Sequence, residues 1–151
     1  LVEIGENMSP QELKALIESD AEATRLASTG AADLCAARCR EIAPKVTRQT
    51  MVSELSILNV YPNPADAETV LQTIEQVAKA NPVVNRVLKW LQPGAPGIDI
   101  GDARVRGLLV APVQSGGVGL SQELARPLLA AAEVAPEISG ADVSTAWPFG
   151  V

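Results

Sequence analysis

The residues whose types and spacing come closest to reactive chemistry lie in LQPGAPGIDIGDARVRGLL, residues 91–109. Glycines at 94, 97 and 101 beside Asp99 and Asp102 are the materials of a phosphate cradle or a cation loop. A phosphate loop of the G-x-x-x-x-G-K-[ST] type needs its lysine for phosphate and its hydroxyl for Mg²⁺. Residues 92–102 hold no lysine. A calcium loop needs oxygen ligands at alternating positions and a closing Glu, which two carboxylates three residues apart do not supply. Both aspartates instead suit the backbone: Asp99 as the cap of its own turn, Asp102 as the N-cap of a helix starting near Ala103. The stretch reads as a helix-linking connector.

A second candidate is RGLLVAPVQSGGVGLSQELA, which imitates a strand, a glycine loop and a helix. Gly117 and Gly119 are followed by Gln122 where a dinucleotide fingerprint requires glycine, and Pro112 interrupts the would-be strand. GLSQE likewise fails as a nucleophile elbow, because Glu123 replaces the last glycine. The chain contains no histidine. That removes Ser-His-Asp and Cys-His catalysis, imidazole base work and histidine metal sites. Cys35 and Cys39, four apart in a helical segment, match neither C-x-x-C nor a zinc pattern and read as buried thiols. No catalytic, metal-binding or cofactor residue is assigned.

Two sets of residues remain as candidate interaction sites. Arg38, Arg40, Lys45 and Arg48 form a basic cluster relieved by Glu41, suited either to phosphate or an acidic partner or to a solvated helix end. Trp147 and Phe149 gather half of a sparse aromatic complement into TAWPFGV. They either complete the last helical packing or anchor another subunit.

The elements that position these residues are helical. Ser9-Pro10-Gln11-Glu12 is a capping box with Pro at the first helical position. Asp20 can cap a second short helix. Ala31, Leu34, Cys35 and Cys39 share a stripe of a third, which Pro44 ends. In TMVSELSILNVY, Thr50 is the candidate cap and Met51, Leu55 and Leu58 the candidate inward face, with a strand over its end as the alternative. Asn63-Pro64 and Asn81-Pro82 each supply a cap and a fixed φ. The helices they open turn Val70, Leu71, Ile74, Val77 and Ala78, then Val84, Val87, Leu88 and Leu91, to the core. Ser121 and Ser139 are caps further on, and Pro127 should kink or shorten the helix it enters.

The class predicted is all-α: a compact bundle of about six to eight short helices with a loop-rich break near residues 92–102. The break divides an N-terminal lobe, 8–91, from a C-terminal lobe, 103–151. LVEIGEN, residues 1–7, is read as translated leader or flexible N-terminus ahead of Met8. Apolar residues make up 47% of the chain but aromatics only 3%, so helices pack closely while each contact buries little area. A core of that kind is completed readily by a partner. The net charge of −6 excludes a strongly basic nucleic-acid footprint. No apolar run nears the ~20 residues of a membrane span, and no signal-peptide pattern opens the chain.

MSPQELKALIESDAEATRLASTG, the Cys/Ala/Arg helix, RVLKWLQPGAPGIDIGDARVRGLL and ISGADVSTAW together resemble small proteins encoded by tailed bacteriophages. The likeness covers most of residues 8–147 and carries no catalytic residue; Pro112 and Pro127 depart from it by interrupting the last helices. It implies a virion or tail-region component, present in the host cytoplasm during assembly and then in the particle. Its partners would be other phage structural proteins or copies of itself, not a membrane or nucleic acid. The expected function is therefore non-enzymatic and structural. Two alternatives are a small acidic adaptor or inhibitor of a host protein, and a nucleic-acid binder acting through the 38–48 cluster.

Overall fold

Ser9 opens the first helix by accepting the Glu12 amide at 3.1 Å, with Pro10 next in line. The Glu12 carboxylate accepts a hydrogen bond from the Ser9 hydroxyl in return, where a full capping box would use the Ser9 amide. The same device recurs along the chain. The computed structural model describes residues 8–148. Its elements are α1 (Pro10–Glu18), α2 (Ala21–Ser28), α3 (Ala32–Ile42), β1 (Val46–Thr47), β2 (Met51–Val52), α4 (Glu54–Val60) and α5 (Pro64–Ala78). There follow α6 (Pro82–Leu91), β3 (Ile98–Asp99), α7 (Ala103–Val110), a 3₁₀ turn at Val113–Ser115, α8 (Gln122–Ala130), β4 (Glu133–Val134) and α9 (Gly140–Ala146). With 62% of the described residues in helix and 6% in strand, the class is all-α as expected.

Among the described residues the helices number nine, above the expected six to eight, because segments as short as α4 and α9 each carry a cap of their own. Every helix except α3 starts under a side chain that accepts an amide of the first turn: Ser9, Asp20, Ser53, Asn63, Asn81, Asp102, Ser121 and Ser139. Short helices are unstable alone, so caps fix where they begin and packing must do the rest. Pro127 lies within α8, which ends at Ala130.

The chain divides into two compact units. The central unit is Thr47–Glu133; the outer unit joins residues 8–46 to 134–148. The break at 92–102 thus falls inside the central unit, and the segment after 134 packs with the N-terminal helices instead of forming a lobe with α7 and α8. The reason is visible in the outer core. Leu13, Ile17, Ala23, Leu26, Cys35, Ala36 and Cys39 leave a small-residue seam, which Ile138, Val143 and Ala146 close as α9 packs on α1 and α3. Leu34, expected in the buried stripe of α3, is 63% exposed; Ala36 takes the inward place on the facing side.

Asp20 ties the outer unit together. Both oxygens accept the Arg38 guanidinium at 3.0 Å, and one also caps α2 through the Ala23 amide. The Arg38 bonds first, and the Ala23 amide second, hold its carboxyl down at about 2 against an ordinary 3.8. A depressed folded-state pKa gives stability that is present above the unfolded value and lost as pH falls through the folded one. The thermal midpoint of the outer unit is therefore expected to drop between about pH 4 and about 2. Asp20→Asn keeps a capping oxygen but not the charge, so circular dichroism melts should show a shallower acid slope in this variant. Glu22, also held low by Arg25, supplies part of the remaining slope.

The central core is larger. Val70, Leu71, Ile74 and Ala78 of α5 and Val84, Val87 and Leu91 of α6 face inward as their spacing predicts; Val77 and Leu88 lie at its edge. Ile57, Leu109, Leu128 and Ile100 close it.

Candidate functional site

The glycine- and aspartate-rich stretch at 94–102 is built against the backbone of residues 48–52. β2 and β3 pair antiparallel, Met51 opposite Asp99 and Val52 opposite Ile98. Asp99 Oδ1 accepts the amides of Thr50 and Gly101, each at 2.9 Å, and the Thr50 carbonyl accepts the Ile100 amide. Asp102 Oδ1 accepts the amides of Arg104 and Val105. Both carboxylates therefore serve backbone amides, as the connector reading expects. Thr50 is not the helix cap; its amide is engaged by Asp99, and the helix starts under Ser53, whose hydroxyl pairs with the Ser56 amide while Ser56 Oγ accepts the Ser53 amide.

That shift of the helix start turns the face of α4. With the strand alternating side to side, Val52 is buried and Met51 points out. With the helix beginning at Glu54, Ile57 and Tyr61 take the inward positions, the Tyr61 hydroxyl donating to the Leu124 carbonyl at 2.7 Å. Burial, then the Asp66 charge, pushes that phenol up to about 12. Leu55 and Leu58, expected inward with Met51, are instead outward: Met51 is 48%, Leu55 68% and Leu58 39% exposed. Leu55 and Leu58 line an open groove of about 480 Å³ together with Pro93, Gly94 and Ala95, over the buried Leu91. Its one charged lining residue, Glu54, accepts the Gln92 amide group at 3.1 Å. The groove is thus an apolar surface with a satisfied polar rim, equipped to bury another apolar side chain.

The residues named from sequence as interaction sites do not converge there. Arg38 is committed to Asp20 and Glu41, and Arg40 donates to the Ile138 carbonyl within the outer unit. Lys45 is exposed in the outer unit, whereas Arg48 belongs to the central unit, where its amide donates to the Ala132 carbonyl. Trp147 is half-buried against the outer core, at the close of α9. Phe149 and the segment 1–7 lie outside the described residues. Cys35 and Cys39 are both buried and free. The Cys35 thiol donates to the Ala23 carbonyl, and burial, foremost, pushes Cys39 up to about 12, so neither offers a thiolate. No helix among the described residues is long and apolar enough to cross a membrane.

Sequence reading missed Arg106. Its guanidinium, 9% exposed as a residue, donates to the carbonyls of Ile100 and Leu129 at 3.0 Å and to Glu133 at 2.7 Å. Arg126 holds the other oxygen of Glu133, and these two guanidiniums, Arg126 foremost, keep that carboxyl low. The signal was an arginine inside an apolar run, ARVRGLLVA. It also missed the outward α4 face, for which Ser53-x-x-Ser56 was the signal. Compared with protein-family models, curated proteins and solved structures, the chain matches none.

Proposed function

We propose that this chain is a non-enzymatic structural and interaction protein, a tail-region virion component of a tailed bacteriophage, acting through protein–protein contacts of its central unit. The observation that carries the reading is the outward apolar face of α4 with its groove: Leu55 and Leu58 exposed beside Pro93, Gly94 and Ala95, with Leu91 of the core beneath. Leu55 and Leu58 are large aliphatic side chains left in water next to one another along the groove, and the largest apolar patch on a monomer is often functional. The phage assignment rests on the resemblance over residues 8–147. The reading of 38–48 as a nucleic-acid site is weakened by the internal pairing of Arg38 and Arg40.

Mass spectrometry of purified particles is the direct test. The chain is expected in them at a fixed ratio to other virion proteins, and a particle carrying the Leu55→Glu chain should contain several-fold less of it. Absence of the wild-type chain from particles overturns the assignment.

A further inference from the structure

We propose that the outward face of α6 binds an acidic polypeptide segment of another protein, one that carries an apolar side chain between its carboxylates. The surface is separate from the α4 groove and shares no lining residue with it.

The sequence places the charge. Between Glu75 and Asp99 the chain carries no acid, yet it holds Lys79, Arg86 and Lys89. In a chain of net charge −6 that stretch is locally cationic. The helical period then sorts its residues. Val84, Val87 and Leu91 go to the core, and Val83, Arg86, Lys89 and Trp90 come out together. Val83 is 60% and Trp90 43% exposed, so the cations stand beside an indole and an aliphatic side chain. Among the described residues neither Arg86 nor Lys89 forms an ion pair, in contrast to Arg25, Arg38, Arg106 and Arg126.

The face is fixed before any partner arrives. Asn81 Oδ1 accepts the amides of Val83 and Val84, and its Nδ2 donates to the Gly116 carbonyl. At the other end the Gly97 amide donates to the Trp90 carbonyl at 2.9 Å. A face held at both ends loses little freedom on binding. Arg86 and Lys89, one turn apart with no acid on their own helix, complement carboxylates; Val83 and Trp90 complement an apolar residue among them. A polynucleotide suits the face less well. Two cations neutralise few phosphates, and the acid-rich remainder of the chain repels a long polyanion.

Fluorescence anisotropy of a labelled peptide, glutamate with leucine at every third or fourth position, tests the proposal on the full chain. Binding is expected, and it should weaken several-fold as salt rises to physiological strength. Arg86→Glu and Lys89→Glu should each weaken it about tenfold, with unchanged circular dichroism because both side chains face water. Leu55→Glu, on the α4 face, should leave it unchanged. Amide chemical shifts are expected to move along residues 83–90. No binding at up to about 1 mM peptide, indifference to Arg86→Glu, or tighter binding of single-stranded DNA than of the peptide overturns the proposal. So does self-association of the chain that Arg86→Glu abolishes, which would put a second copy on this face. Depletion of the Leu55→Glu chain from particles reads the α4 face alone, so the two readings fail separately.

Discussion

Arg106→Ala is expected to destabilise the central unit by about 3 kcal/mol, lowering its thermal midpoint by on the order of 15 °C. The guanidinium satisfies three acceptors from three places: Ile100 before α7, Leu129 near the end of α8, and Glu133 in β4. Removing it leaves the Ile100 carbonyl short of its donor, a buried polar group whose orphaning costs about 1–3 kcal/mol, and takes a charge-assisted bond of about 1.5–3 kcal/mol from Glu133. The Leu129 carbonyl keeps the Ala132 amide at 3.2 Å. Glu133 retains Arg126, which keeps the loss below that of a wholly unpaired buried charge. Arg126 is more than half exposed, so Arg126→Ala should cost under about 1 kcal/mol. Arg106→Lys, with a point charge in place of a planar fork, should fall between. Chemical denaturation of the three variants checks the order; equal losses from Arg106→Ala and Arg126→Ala would show that the buried hydrogen bonds carry no weight.

Arg106 also marks where sequence reasoning stops. Helix starts were legible because a cap is local: Ser9, Asp20, Asn63, Asn81, Asp102, Ser121 and Ser139 each act within three residues of themselves. The inward faces of α5 and α6 were legible for the same reason, through apolar spacing. The acceptors of Arg106 lie up to 27 residues away, and no local pattern names them. The α4 face failed in a more instructive way. Met51, Leu55 and Leu58 do recur at helical spacing, yet Met51 belongs to a strand and the helix starts at Glu54. Spacing gives the period of a helix but not its phase; Ser53 and the pairing of Val52 with Ile98 set the phase and turned the stripe to solvent. The candidate site is therefore the place where the apolar pattern and the core disagree. The division into units was illegible for a third reason. Proline and glycine mark where helices stop, and the 92–102 break is rich in both, but which helices share a core depends on α9 returning to α1 and α3.

The same stretch yields the second large effect. Gly94 and Gly97 both hold left-handed backbone, φ +84° and +86°, so alanine at either pays about 1–2 kcal/mol for the conformation. They differ in what a Cβ would meet. At Gly94 nothing lies within 4 Å; at Gly97 the Val52 carbonyl oxygen lies 2.5 Å away. Backbone cannot rotate aside as a side chain can, and Val52 is fixed by its pairing with Ile98. Gly97→Ala should therefore add an overpacking cost of about 1–3 kcal/mol, for a total near 3 kcal/mol, whereas Gly94→Ala should lose only the conformational part. The difference between the two variants isolates the approach of the 97–101 turn to β2. It also reaches the groove, since that approach fixes Val52 inward and Met51 outward and so sets the start of α4. Gly97→Ala is expected to disturb the start of α4, and Gly94→Ala to leave the fold of α4 intact. Equal unfolding free energies for the two alanine variants would mean that the turn does not press on β2, and the origin of the outward face would have to be sought elsewhere.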